Sequence, residues 1–137
     1  MEGQQTRILV VEDELLIRTL TKRAFVKEFF ACDAAEDGRE ATEMYRQHPY
    51  DVVITDLNMP RKDGHLFVCE LLEMSTQPII IVISACSDPR MERDLRARGV
   101  DGFFLKPVDY KEVIAHVQGL LDERMQGLLN NSDNWSG

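Results

Sequence analysis

Five side chains in this sequence share one kind of position. Glu12 and Asp13 follow the apolar run Ile8-Leu9-Val10-Val11, and Asp56 follows Val52-Val53-Ile54-Thr55. Ser84 follows Ile79-Ile80-Ile81-Val82-Ile83, and Lys106 stands between Gly102-Phe103-Phe104-Leu105 and Pro107. A carboxylate at the end of a buried segment is costly unless something pairs with it. Three acids brought close repel one another and are stable together with a cation. An all-oxygen set of carboxylates, a backbone carbonyl and water suits Mg²⁺. An ammonium and a hydroxyl beside such a centre suit a tetrahedral, multiply charged oxyanion such as phosphate. The carboxylate can itself be the nucleophile, giving an acyl phosphate. Beyond that, the chemistry asks for in-line positioning and charge neutralisation.

The apolar runs are the elements that would position these groups. Residues 8–11, 31–35, 52–55, 79–83 and 102–105 read as strands; 8–11 is wholly apolar, as fits a strand covered on both faces, 79–83 is the strongest by β-propensity and 31–35 is weak. Helical spacing follows each one. Leu16, Leu20 and Ala24 mark a first helix over 14–29, and Ala41, Met44 and Tyr45 mark a second. Leu71 and Leu72 point inward from a third over 66–74, and Met91, Leu95 and Ala97 form a thin stripe on a fourth over 91–98. Val113, Val117 and Leu120 mark a fifth over 109–121. Five β–α units with right-handed crossovers predict a doubly wound parallel sheet with helices on both faces. Ligands of such sheets bind beyond the C-terminal strand ends, where all five chemical groups stand.

Bulk properties narrow the classes. A chain of 137 residues with 44% hydrophobic and 29% charged residues fits one globular domain. A net charge of −8 argues against direct nucleic-acid binding by this chain. No apolar run approaches the ~20 residues of a membrane span, and the N-terminus does not read as a secretory signal. Cys32, Cys69 and Cys86 read as reduced thiols, pointing to a cytoplasmic setting. His48, His65 and His116 are isolated, and Gly38 and Gly64 read as turn residues.

Each chemical group also has a plainer reading alone. Glu12-Asp13 could cap the next helix, Ser84 could be a turn hydroxyl, Lys106 a solvated charge, and Phe103-Phe104 core packing.

Taken together, VVEDE (10–14), DAAEDGREA (33–41), YDVVITDLNMPRKDG (50–64), IVISA (81–85) and GFFLKP (102–107) resemble the receiver domain of two-component response regulators, of the chemotaxis-receiver kind. The resemblance covers residues 6–122. It implies a flavodoxin-like α/β fold with five helices and strand order 2-1-3-4-5. By it, Asp56 accepts a phosphoryl group from a phosphohistidine of a sensor histidine kinase or histidine phosphotransfer protein. Asp13, Asp56 and the backbone carbonyl of Asn58 bind Mg²⁺ or Mn²⁺ directly, with Glu12 acting through water. Lys106 holds a phosphoryl oxygen, Ser84 bonds the attached group, Phe103 turns inward as Ser84 moves, and the Lys106–Pro107 bond is cis. The domain would catalyse only its own phosphorylation and dephosphorylation. It would switch the surface of the fourth helix, fifth strand and fifth helix, with an output domain or effector reading the change and room for a weak homodimer.

Three positions depart from the commonest family pattern. Phe103 stands where tyrosine is frequent and Ser84 where threonine is; Cys86, two residues on, is neither acid nor amide at a position that modulates dephosphorylation. Residues 123–137 read as a helical extension and a flexible polar tail, the beginning of a linker to an output domain or the end of a stand-alone regulator. Two further readings stay open. A haloacid-dehalogenase-like phosphatase uses a similar set of groups but carries its nucleophile after the first strand. A degenerate receiver would be a binding module only.

Overall fold

The computed structural model describes residues 6–29, 31–57, 64–86 and 88–135. In chain order the elements are β1 (Arg7–Val11), α1 (Leu15–Val26), β2 (Ala31–Ala35), α2 (Gly38–Gln47), β3 (Val52–Asp56), α3 (Gly64–Leu72), β4 (Ile79–Ser84), α4 (Pro89–Arg98), β5 (Gly102–Leu105) and α5 (Tyr110–Trp135). The strands form one parallel sheet in the order β2-β1-β3-β4-β5. This is the strand order that the family resemblance implies.

Strand alternation divides the core in two. Leu9, Val11, Val53, Ile80 and Val82 face one layer, where Ala41 and Tyr45 of α2, Phe67 and Leu71 of α3 and Leu95 of α4 cover them. Ile8, Val10, Val52, Ile54, Ile79, Ile81 and Ile83 face the other, under Phe25 of α1 and Val113 and Val117 of α5. Each such side chain withdrawn from water is worth about 1.5–3 kcal/mol. The central strands β3 and β4 are buried along their whole length, which is why they carry the most continuous apolar runs.

Helix starts follow local chemistry. Asp37 caps α2 by accepting from Glu40 N at 2.8 Å, and Asp88 caps α4 by accepting from Arg90 N and Met91 N ahead of an N-terminal proline. Gly99, at φ 122°, ends α4 in a backbone region that disfavours a side chain.

Two details of the helices go beyond what spacing and composition show. Leu16 and Leu20, whose spacing marks the helix, are 70% and 44% exposed; the buried residues of α1 are Thr21 and Phe25. Thr21 spends its hydroxyl within the protein, bonding Ile17 O at 2.7 Å and Tyr110 Oη at 2.8 Å, so a polar residue takes the inward position. The other concerns α5. Its helix continues to Trp135, past Asn130, where the composition suggests a polar tail. Extending an existing helix fixes one residue per added hydrogen bond, so polar composition alone does not stop it.

Candidate functional site

The parallel sheet sets all five strand C-termini along one rim. β1 and β3 are neighbours, with Val11 opposite Thr55, so the residues that follow them meet. Carboxylate oxygens of Glu12, Asp13 and Asp56 lie within 4.8 Å of one another. Glu12 and Asp56 are buried, and Asp13 is exposed. The cluster thus has two desolvated oxygen ligands and one facing solvent, a set that fits a hard divalent cation retaining water.

Lys106 arrives from β5, across β4. Its Nζ donates to Glu12 Oε1 at 2.7 Å and to Asp56 Oδ2 at 2.9 Å. The ammonium therefore neutralises two buried acids at once. Burial pushes the Glu12 carboxyl up from its ordinary pKa, while the bonds from Lys106 and from Glu14 N oppose that rise. Burial pulls Lys106 down, but its bonds to the two carboxylates prevail and the net direction is upward. Lys106 is thus held as a cation at the site.

Ser84 ends β4, is 1% exposed and lies opposite Leu105 in the ladder. Its Oγ donates to Cys86 O at 3.1 Å and accepts from Cys86 N at 3.2 Å. The hydroxyl is therefore held by a local turn and not by the acids. Phe103 is partly buried against the layer under α3 and α4, whereas Phe104 joins the opposite layer. The Lys106–Pro107 peptide is cis, as expected. The Asn58 carbonyl, expected as a metal ligand, lies outside the described residues.

Two residues of this site are not legible as such in the sequence. Gly64 reads there as a turn residue, but its amide donates to Leu57 O at 2.8 Å, and a side chain at this position would collide with the backbone carbonyl of Asp56. The missing Cβ lets α3 start directly against the end of β3, and only the three-dimensional approach reveals that. Arg18 of α1 donates from Nη1 to the carbonyl oxygens of Glu12 and Asp13, at 3.0 and 3.2 Å. Its only sequence signal is a basic residue a little over one helical turn beyond the acid pair.

Beside Lys106 the site opens into an apolar cavity of about 410 Å³ between α1 and α5, lined in part by Ile17, Leu20, Val108 and Tyr110. Leu15 and Leu16 stand exposed on α1. No helix among the described residues is long and apolar enough to cross a membrane.

Comparison with known proteins places this geometry. The family model for the response regulator receiver domain matches residues 8–118. The chain is 34% identical over 125 residues to the transcriptional regulatory protein ResD of Bacillus subtilis, covering 91% of this chain and 52% of ResD. It therefore spans about half the length of that relative. It is 33% identical over 117 residues to the chemotaxis protein CheY of the same organism, covering 85% of this chain and 98% of CheY. Among solved structures, the CheX-CheY-BeF3-Mg²⁺ complex from Borrelia burgdorferi contains a similar chain, with a TM-score of 0.78, 28% identity and coverage of 85% of this chain and 89% of that one. The match supports the receiver reading over a phosphatase fold whose nucleophile follows the first strand. With its strand order and the acids at the ends of β1 and β3, this chain belongs to the response regulator receiver domain family.

Proposed function

We propose that this receiver takes a phosphoryl group on Asp56 and uses it to switch the α4–β5–α5 surface. One observation carries the reading: a single lysine ammonium bonds both Asp56 and Glu12, within an acid cluster that can hold a divalent cation. An Asp56 carboxylate oxygen attacks the phosphorus of a phosphohistidine. The P–N bond breaks as the P–O bond forms, and the ring, protonated on its other nitrogen, leaves as neutral imidazole. Lys106, already beside Asp56, holds an oxygen of the transferred group.

Glu12, Asp13 and Asp56 would hold Mg²⁺ or Mn²⁺, Glu12 through water. A cation bound there supplies neutralisation of the charge shared by donor and acids. The Borrelia complex, which contains a similar chain together with Mg²⁺ and BeF3, lends support to a divalent cation here. Once phosphorylated, Asp56 offers acceptor oxygens that Ser84 Oγ can bond in place of Cys86, and Phe103 packs into the space behind it. α4 contributes one fully buried side chain, Leu95, so its displacement loses little packing.

The donor is a sensor histidine kinase or histidine phosphotransfer protein. Exposed Leu15 and Leu16, in the first turn of α1 after the acid pair, provide apolar surface for it. The chain acts in the cytoplasm, turns over no substrate other than its own aspartyl phosphate, and passes its signal to an output domain or effector.

The test is incubation of the purified chain with Mg²⁺ and a small phosphodonor such as acetyl phosphate, followed by intact-mass measurement. One added phosphoryl group is expected, and it is lost on chelation of the metal beforehand. An unchanged mass on the folded wild-type chain contradicts the proposal and favours a receiver that only binds partners.

A further inference from the structure

Arg18 rises from the first turns of α1 toward the loop that carries the acid pair. It is half-buried, and a single atom, Nη1, donates to Glu12 O at 3.0 Å and to Asp13 O at 3.2 Å. Those two carbonyls belong to the peptide groups on either side of Asp13. A donor bridging them fixes both peptide planes, and with them the direction in which the Asp13 side chain leaves the backbone. Other bonds hold the flanks of the loop. Glu12 N donates to Ala35 O at 3.0 Å, Glu14 N to Glu12 Oε2 at 3.2 Å and Arg18 N to Glu14 O at 2.9 Å. Glu12 is further held by Lys106. Asp13 is the exposed acid of the cluster, the one for which burial does not decide orientation.

We propose that Arg18 is a positioning residue of the acid cluster, holding the Glu12–Asp13 backbone so that the Asp13 carboxylate faces those of Glu12 and Asp56 as a site for a divalent cation. This rests on the cation-binding reading given above. The charge of Arg18 acts in the opposite sense, because a guanidinium close to the cluster repels a cation. Removal of the guanidinium therefore has two consequences of opposite sign, and the sign of the result identifies which one governs.

The experiment is Mg²⁺ titration of the whole chain by calorimetry or amide chemical shifts, on wild type, Arg18→Lys and Arg18→Met. Arg18→Met, with no donor, is expected to bind Mg²⁺ about tenfold more weakly, the usual scale for losing a partner that orients a metal ligand. Arg18→Lys keeps the charge and a point donor but not the planar fork, and recovers part of the loss. The expected order of affinity is wild type, then Arg18→Lys, then Arg18→Met. Without metal, hydrogen exchange should quicken at the amides of residues 12–15 in Arg18→Met while the β3 and β4 amides keep their protection. Equal or tighter Mg²⁺ binding by Arg18→Met overturns the proposal. Should Arg18→Met not fold, equal or tighter binding by Arg18→Lys overturns it in the same way. Wild type that binds no Mg²⁺ overturns the cation site itself, and is told apart because it needs no variant.

Discussion

Lys106 Nζ lies 2.9 Å from Asp56 Oδ2, across a separation of 50 residues in sequence. The same nitrogen serves Glu12, so one ammonium makes two buried carboxylates tolerable. Replacing Lys106 by Met should therefore do two things. Two like charges are left buried together, so stability at neutral pH falls by about 1–3 kcal/mol, with Mg²⁺ restoring part of it. The donor that steadies the transferred group is lost, so phosphorylation by a small phosphodonor slows by roughly 10²-fold or more. Chemical denaturation with and without Mg²⁺, alongside phosphorylation rates, checks both.

Asp56→Asn should act in the contrary direction on stability. It removes one of the cluster's three mutually repelling charges, and the amide oxygen can still accept from Lys106. The variant is expected to be as stable as wild type or more so, while taking up no phosphoryl group. A thermal unfolding midpoint well below wild type contradicts this.

Gly64→Ala places a methyl group against the Asp56 carbonyl and 2.7 Å from Leu57 Cα. The nearest atoms are all backbone of the Asp56–Leu57 peptide, with no flexible side-chain atom to yield, so α3 must move away from β3. A loss of more than about 2 kcal/mol is expected, at the high end for a single substitution, together with slower phosphorylation. Urea unfolding measures the first and phosphodonor kinetics the second.

Tyr50 gives a pH prediction away from the site. Burial comes first, then its hydrogen bond to Asp33 Oδ2 at 2.7 Å, and together they push the phenol up to about 12. A folded-state pKa above the unfolded value of about 10 means the folded chain favours the protonated phenol. The stability this confers is fully present below pH ~10 and is lost as pH rises toward 12. Tyr50→Phe should lose about 1 kcal/mol at neutral pH and show a flatter decline across that alkaline range. Unfolding midpoints against pH for the two proteins check it.

Much of this site could be read in the sequence because parallel sheets translate strand order into proximity. Once the apolar runs Ile8 to Val11 and Val52 to Thr55 are recognised as strands, the residues after them must share a rim, and Glu12, Asp13, Asp56, Ser84 and Lys106 follow. What escaped depended on distances that no pattern encodes. Leu16 and Leu20 fit a helical stripe as well as Thr21 and Phe25 do; the choice between faces is made by a threonine hydroxyl that finds Tyr110 on a distant helix. Gly64 and Arg18 act through backbone carbonyls, which every residue has, so neither announces its partner.

The most direct test of the central claim locates the phosphoryl group. After reaction with a small phosphodonor and Mg²⁺, borohydride reduction converts an aspartyl phosphate to homoserine, and peptide mass analysis identifies the position. Homoserine at position 56 in wild type, and none there in Asp56→Asn, is the predicted result. Homoserine at another acid, or none in a folded wild-type chain, contradicts the assignment of Asp56 as the acceptor.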